Sequence, residues 1–180
     1  MSLASSIRLA AFLLLFSAAT AGAESIVGEA RVELHGTSSL HEFDGHAPAV
    51  RVQLQPSGAH WAGSVALPVT SLSTDNSLRD SRMYSLLRSE QFPEIRARFG
   101  DIDPEAVRRS RQLSFELSIA GVEQRVVSRL SEWTEEADGL RFVSEFDVSL
   151  KQFQLEAPTV LFVTVSDTIR IRVAVELKRG

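Results

Sequence analysis

The chain has 180 residues, with 19 basic and 23 acidic side chains, and its sequence contains no cysteine. This length suits one domain with a substantial hydrophobic core. The acidic balance, without a basic stripe, argues against binding to nucleic acid and against electrostatic attachment to anionic lipid. The lack of cysteine excludes disulfides and thiolate chemistry.

Residues 1–23 are predicted to be a cleavable secretory signal peptide. Arg8 supplies its positive charge, Leu9 to Phe16 form its apolar run, and Ala21-Gly22-Ala23 provides the small residues of a cleavage site. The apolar run is too short to cross a bilayer as a helix. We therefore expect a periplasmic protein, with secretion as the alternative, in which residues 24–180 form a single domain without a stable membrane anchor.

The first part of the mature chain has the alternation of strands. Apolar and polar residues alternate at residues 30–34, 50–55 and 65–69. The turn residues Pro56-Ser57-Gly58 separate the second pattern from the third. Short turns of this kind favour antiparallel neighbours.

A short helix is predicted over about residues 77–89. Ser77 and Asp80 have the spacing of an N-terminal capping box, and Pro93 disfavours a helix that continues past residue 92. Asn76, just before the box, is interpreted as a turn residue that tolerates a left-handed backbone. Behind the cap, apolar residues recur at helical spacing and predict packing across a sheet: Met83, Leu86 and Leu87.

Strand alternation resumes after the helix. It is clear at residues 95–99, 113–119, 140–150 and 169–177 and ambiguous at 125–133. Each strand has one apolar and one charged face, so the sheet must pack on a second sheet or close on itself. We predict an all-β fold, an eight-stranded antiparallel barrel with one inserted helix, because closure removes free edges. A two-sheet sandwich fits the same pattern.

The candidates for chemistry are crowded between the first two strands. His35, His41 and His46 lie close in sequence, but no metal-ligand spacing links them, so no metal site is assigned. The segment from Ser38 to Asp44 contains the residue types of a hydrolytic triad without a nucleophile elbow. No catalytic residue and no cofactor follow from these patterns.

Phenylalanines share the apolar side of several strands. They either line a cavity or fill the core, and periodicity does not separate these alternatives. The mature chain contains eight of them: Phe43, Phe92, Phe99, Phe115, Phe142, Phe146, Phe153 and Phe162.

Several segments, in their order and spacing, resemble the YceI-like family of periplasmic polyisoprenoid-binding proteins. The resemblance rests on residues 37–45, Thr74-Asp75-Asn76, Arg79-Asp80-x-x-Met83, Phe92-Pro93-x-Ile95, residues 117–122, Phe153-Gln154-Leu155 before Pro158, and residues 165–171. Departures from the family pattern are Arg82 in place of His, Ala97 in place of an aromatic residue, Ala120 in place of His and Arg125 in place of Pro.

The resemblance implies a lipocalin-like barrel that encloses an isoprenoid lipid, a polyprenyl chain or an isoprenoid quinone, without catalysis. The alternatives are a ligand-free structural or stress-related β-protein and, more weakly, a hydrolase using the loop from Ser38 to Asp44. The oligomeric state stays open, a homodimer included.

Two groups of residues are the site candidates. The motif residues are interpreted as structural or as part of a ligand portal, with the structural role preferred for Arg79 and Asp80: Asn76, Arg79, Asp80, Phe92 and Pro93. The predicted apolar lining shares the apolar phase of its strands: Phe115, Leu117, Phe142, Phe146, Val148, Ile171 and Val173.

Overall fold

The computed structural model describes residues 25–157, 159–160 and 163–179, so the predicted signal peptide, Pro158 and Phe162 lie outside the described residues. The strands of this part are β1 (Ile26–Ser38), β2 (Glu42–Ser57), β3 (His60–Pro68), β4 (Glu94–Ile102), β5 (Gln112–Ile119), β6 (Val122–Glu135), β7 (Gly139–Ser149), β8 (Thr159–Val160) and β9 (Val163–Arg179). Its α-helices are α1 (Ser77–Leu86) and α2 (Pro104–Ser110), and two single-turn 3₁₀ helices lie at Val69–Ser71 and Lys151–Phe153. No helix among the described residues has both the length and the apolarity needed to cross a bilayer.

Eight of these strands form a closed antiparallel barrel. Neighbours along the chain pair from β1 to β7, and β9 pairs with both β7 and β1, which closes the sheet. On β9, Val175 lies opposite Phe142 on one side and Ala30 on the other. The short β8 pairs only with the start of β9. The predicted barrel is therefore confirmed, and the sandwich alternative is wrong.

A bulge in strand β6 explains why the alternation at residues 125–133 is ambiguous. Its inward positions include the buried Ser128 and Leu130, two residues apart. The pairing with β7 then shifts register between Ser131 and Thr134, and Glu132 adopts a left-handed backbone with φ of 50°. Such a bulge inserts one residue and reverses the side-chain phase. Trp133 thus borders the interior of the barrel, although it is out of phase with Leu130.

Helix α1 starts one residue earlier than the capping-box spacing predicts. The N-cap is Asn76, whose side chain accepts a hydrogen bond from the Arg79 amide. Asn76 is extended at φ of −143°, and the left-handed residue is its neighbour Asp75 at φ of 57°. The prediction of a Ser77 cap and of a left-handed Asn76 is therefore wrong, because Asn is as good a cap as Ser and lies one position upstream.

Helix α2 is absent from the sequence prediction, which contains only the helix at about residues 77–89. Asp103 caps it by accepting hydrogen bonds from the amides of Glu105 and Ala106, and Pro104 stands in its first turn. This is the usual start of a helix. The helix spans seven residues, too short for an apolar period to repeat, which is why alternation and periodicity miss it.

Candidate functional site

An apolar cavity of about 560 Å³ occupies the barrel interior. Inward-facing strand residues build its wall, because alternate side chains of a closed sheet point inside. The structure places all seven residues of the predicted lining on this wall: Phe115, Leu117, Phe142, Phe146, Val148, Ile171 and Val173. The barrel is hollow, a property that periodicity does not decide.

Half-buried side chains of several strands border the unfilled space, β7 and β9 among them. Phe146, Ile171 and Val173 face the interior but are only half-buried. On the neighbouring β5, Phe115 and Leu117 are buried. Side chains in a close-packed core have almost no accessible surface, because few gaps around them are as large as a water molecule. The half-burial of the first three therefore marks where a ligand has room.

Phenylalanine rings stiffen one side of the cavity. The ring centres of Phe99 and Phe115 are 5.3 Å apart, and Phe146 stands edge-to-face on Phe115 at the same separation. Tilted and edge-to-face pairs of this kind are favourable beyond their buried area. These rings form a packed aromatic row on the cavity wall.

The cavity opens at the barrel end that carries α1, and we call this opening the mouth. Leu78 and Arg82 are exposed there, while Met83, Leu86 and Leu87 of the predicted apolar stripe turn toward the cavity. The stripe thus packs over the end of the barrel. Apart from the interior Ser144, the polar lining residues gather at this end: Ser38, His41, Glu42, Thr74, Asn76, Arg79 and Arg82.

Thr74 fixes the base of the mouth through Arg79 and Asp80. The Arg79 side chain donates from Nε to Thr74 Oγ1 at 2.8 Å and from Nη2 to the Thr74 carbonyl at 2.7 Å. Thr74 in turn donates from its hydroxyl and its amide to Asp80 Oδ1, at 2.5 and 2.8 Å. Ser73 Oγ donates to the other carboxylate oxygen at 3.2 Å.

These bonds give Asp80 and Arg79 different surroundings. The Thr74 hydroxyl bond, followed by the Thr74 amide, the Ser73 hydroxyl and the Arg79 charge, holds the pKa of Asp80 below its ordinary value. Asp80 therefore anchors the loop before α1, whereas Asn76 caps the helix. Arg79 also lies 5.4 Å from the centre of the Phe43 ring, which borders the cavity. Arg79 and Asn76 thus border the mouth, whereas Asp80 lies outside the cavity lining and holds the loop before α1 in place.

Phe92 and Pro93 lie away from the cavity wall. The Pro93 carbonyl accepts a hydrogen bond from the Val69 amide at 2.8 Å. The Phe92 ring covers Gly121, where an added Cβ would come within 2.6 Å of the ring and φ is 82°. This motif element ties the segment after α1 to the β5–β6 turn.

The loop from Ser38 to Asp44 does not assemble a triad. The Ser38 hydroxyl donates to the backbone carbonyl of His41 at 2.8 Å, and Asp44 bonds Nδ1 of His35 at 2.8 Å. His46 lies within β2 opposite Glu33, not in a loop as the sequence suggests. Among the described residues, no three histidine or carboxylate side chains converge as a metal site requires.

Comparison with sequence models of known families identifies the family to which this barrel belongs. The sequence model described as YceI-like domain matches residues 18–177. The chain belongs to the YceI-like family. No curated protein sequence matches it. This family is known as a binding domain, which agrees with a barrel that carries an apolar cavity.

Solved structures of the same fold have low sequence identity to this YceI-like protein. A polyisoprenoid binding domain from Saccharophagus degradans shares 11% identity, with 86% of this chain and 98% of that chain covered at a TM-score of 0.64. BcnA of Burkholderia cenocepacia also shares 11%, covering 82% and 95% at 0.65. The YCEI protein of Campylobacter jejuni shares 14%, covering 76% and 84% at 0.56. Identities this low establish the fold alone.

Sequence reasoning missed three contributors to the site. Thr74, 4% exposed, organises the mouth but appears in the sequence only as one member of a motif. Leu78 and Arg82 border the mouth, and no periodic pattern singles them out. Helix α2 was missed as well, although its start could have been recognised from Asp103 followed by Pro104.

Proposed function

We propose that this protein is a non-catalytic binding or carrier protein that holds an amphiphilic isoprenoid lipid, a polyprenyl chain or an isoprenoid quinone, inside the barrel. The observation that carries the proposal is the apolar cavity of about 560 Å³ with its polar residues gathered at the mouth. An amphiphile fits this distribution, with its chain inside and its head group near Arg79 and Arg82. The polyisoprenoid-binding name of the Saccharophagus neighbour supports the same ligand class.

Burial of the chain supplies enough free energy for binding. Each methylene removed from water contributes about 0.8 kcal/mol. Several isoprene units therefore offset the loss of translational freedom, which costs roughly 4–15 kcal/mol. No ion pair with the head group is required. Because the binding free energy comes from the buried chain, we expect the protein to select ligands by chain length and shape more than by charge.

Native mass spectrometry of protein purified from its own source tests the proposal. We expect a mass increment that organic extraction releases and identifies as an isoprenoid lipid. The delipidated protein should regain the increment when incubated with a polyprenyl alcohol, and a linear polyether of similar length serves as a polar control. Protein that is empty on isolation and takes up no lipid would contradict the proposal and favour the alternative of a ligand-free structural protein.

The location is a separate part of the proposal. We infer export to the periplasm with cleavage after Ala23, on the basis of the positive, apolar and small-residue regions of residues 1–23. Mass analysis of protein from a periplasmic extract should give a chain that starts at Glu24. Retention of residues 1–23 would contradict cleavage and point to an N-terminal anchor.

A further inference from the structure

A second apolar space lies at the opposite end of the barrel, under α2. It measures about 300 Å³, and we call it the α2 compartment. Apolar side chains of α2 and of the strand ends surround it: Trp61, Val107, Leu130, Trp133 and Leu140. Both tryptophans of the chain border this compartment, and neither borders the main cavity.

The α2 compartment adjoins the main cavity through side chains only. The residues that border both spaces are all apolar: Leu54, Ile102, Leu113, Phe142 and Leu177. No strand crosses between the two spaces, since all the barrel strands run around the wall. Leu54, Phe142 and Leu177 of this layer are packed, with 8% exposure each, and their side chains make no hydrogen bond. The partition is therefore a layer that an apolar chain can displace without breaking backbone hydrogen bonds.

Phe142 is the aromatic member of this partition, and Trp133 supports it. The two rings stack with centres 5.7 Å apart and an angle of 26° between their planes. The Arg111 guanidinium carbon lies 4.2 Å from the centre of the Trp133 indole, and Trp133 Nε1 donates to Glu135 at 2.7 Å. These contacts hold Trp133 in place. A displaced Phe142 would thus move against a fixed indole, which reports its environment by fluorescence.

Helix α2 covers the compartment without filling it. Four of its residues border the space, Pro104, Glu105, Val107 and Arg108, and of these only Val107 is half-buried. Arg108 ties the helix to the end of β6 through Glu135, with Nη2 and the carboxylate oxygen 2.5 Å apart. The charged residues that border the compartment are all exposed: Glu105, Arg108, Glu135, Glu136 and Lys178. The inner surface that faces the main cavity is hydrocarbon.

We propose that the α2 compartment is a second binding site, which takes the terminal segment of an isoprenoid chain that is too long for the main cavity. The inference rests on the proposed function and extends it from a ligand class to a ligand length. The chain would pass between Phe142 and the aliphatic side chains of the partition. A ligand with a polar tail is disfavoured, because that tail would have to cross a partition whose side chains offer it no hydrogen bond.

The tryptophans provide the first test. Delipidated protein is titrated with polyprenyl alcohols of 15, 20 and 45 carbons, and binding is followed by native mass spectrometry and by indole emission. Trp61→Phe isolates the signal of Trp133. We expect all three alcohols to bind, but only the longest to shift Trp133 emission to the blue. Equal emission for bound short and long chains would overturn the second site.

Val107→Phe provides the second test, because it fills the α2 compartment and leaves the main cavity unchanged. We expect affinity for the 45-carbon alcohol to fall by about tenfold, equivalent to about two buried methylenes, with unchanged affinity for the 15-carbon alcohol. Val173→Phe, on the wall of the main cavity, should weaken both. If Val107→Phe does not fold, Val107→Ala is used and should strengthen long-chain binding alone.

The outcomes separate this inference from the proposed function. Protein that binds no alcohol of any length contradicts the proposed function itself. Protein that binds all of them, with the same response to Val107→Phe at every length, keeps the proposed function and contradicts the second site.

Discussion

At the scale of single residues, the mouth depends on one carboxylate. Asp80 accepts three hydrogen bonds from Thr74 and Ser73. Asp80→Ala leaves the buried Thr74 hydroxyl and amide without that acceptor, so we expect the free energy of unfolding to fall by about 1–3 kcal/mol. Lipid affinity should stay within a few-fold, because Asp80 does not border the cavity. Urea denaturation and lipid titration measure both effects.

The control for Asp80 is Glu90→Ala, which removes an exposed carboxylate from the turn after α1 and should change stability little. Unchanged stability in Asp80→Ala together with lost lipid binding would contradict the structural role. That result would make Asp80 part of the ligand portal.

The same carboxylate predicts a pH dependence. The folded-state pKa of Asp80 is lowered, first by the Thr74 hydroxyl. A lowered pKa means that its contribution to stability is complete above the unfolded value of about 3.9 and is lost as the pH falls through the folded value. The stability difference between the wild type and Asp80→Asn should therefore shrink below about pH 4. Denaturant melts from pH 7 to pH 2.5 measure it, and a constant difference would contradict the assignment.

Gly121 gives a prediction about the Phe92-Pro93 element. Its φ of 82° and the ring 2.6 Å from an added Cβ make Gly121→Ala unfavourable. We expect a loss of about 1–3 kcal/mol in the free energy of unfolding from the backbone alone, and more from the contact with the ring. Gly100→Ala is the matched control, since a Cβ there meets nothing within 4 Å. In a Phe92→Leu background the additional loss should shrink, and an unchanged loss would show that the ring plays no part.

At the scale of elements, α1 is held over the mouth by its two ends and by Tyr84. The Tyr84 hydroxyl donates to the Leu72 carbonyl at 2.6 Å. Tyr84→Phe removes this bond, and we expect a stability loss of about 1 kcal/mol. Lipid exchange should become faster while equilibrium affinity changes little, because α1 covers the mouth and most binding energy lies deeper. Stopped-flow displacement measures the exchange, and an unchanged dissociation rate would mean that lipid does not leave past α1.

Alternation predicts strands well where one face is buried, and it fails where the phase changes. The patterns at residues 113–119 and 169–177 match β5 and the inner part of β9, because a one-residue slip would expose the whole apolar set. In β6 the left-handed Glu132 resets the phase, and nothing local in the sequence requires this bulge. Helix α2 is missed for another reason, since its cap is visible but its seven residues make fewer than two helical turns.

The residues that line the cavity could be predicted from the sequence, but the volume of the cavity could not. The phase of each strand decides that Phe146 and Val173 point inward. Whether they meet partners across the barrel depends on the sum of all interior side-chain volumes against the barrel cross-section. That sum is a property of the whole molecule. The same holds for the α2 compartment, which needs the β6 bulge together with the end of β4 and the helix α2 that follows it.

At the scale of the whole molecule, a hollow barrel and a full one respond differently to added volume. Val173 faces the cavity between Val32 and Ser144 and is only half-buried. Val173→Phe should therefore place its ring in ligand space, so the variant stays folded while affinity for polyprenyl alcohols falls by about tenfold or more, the equivalent of about two displaced methylenes. In a filled core the same change would cost about 1–3 kcal/mol of stability through overpacking.

Val127→Phe is the matched control, because Val127 carries the same side chain on the outer face of β6 and is 55% exposed. It should leave both stability and lipid affinity unchanged. Thermal melts and lipid titrations of the two variants therefore compare one added ring inside the barrel with one outside. A destabilised Val173→Phe in a protein that never binds lipid would contradict the carrier function. A stable Val173→Phe with full lipid affinity would show that the chain lies elsewhere in the barrel, because a ring and an isoprene unit cannot occupy the same space.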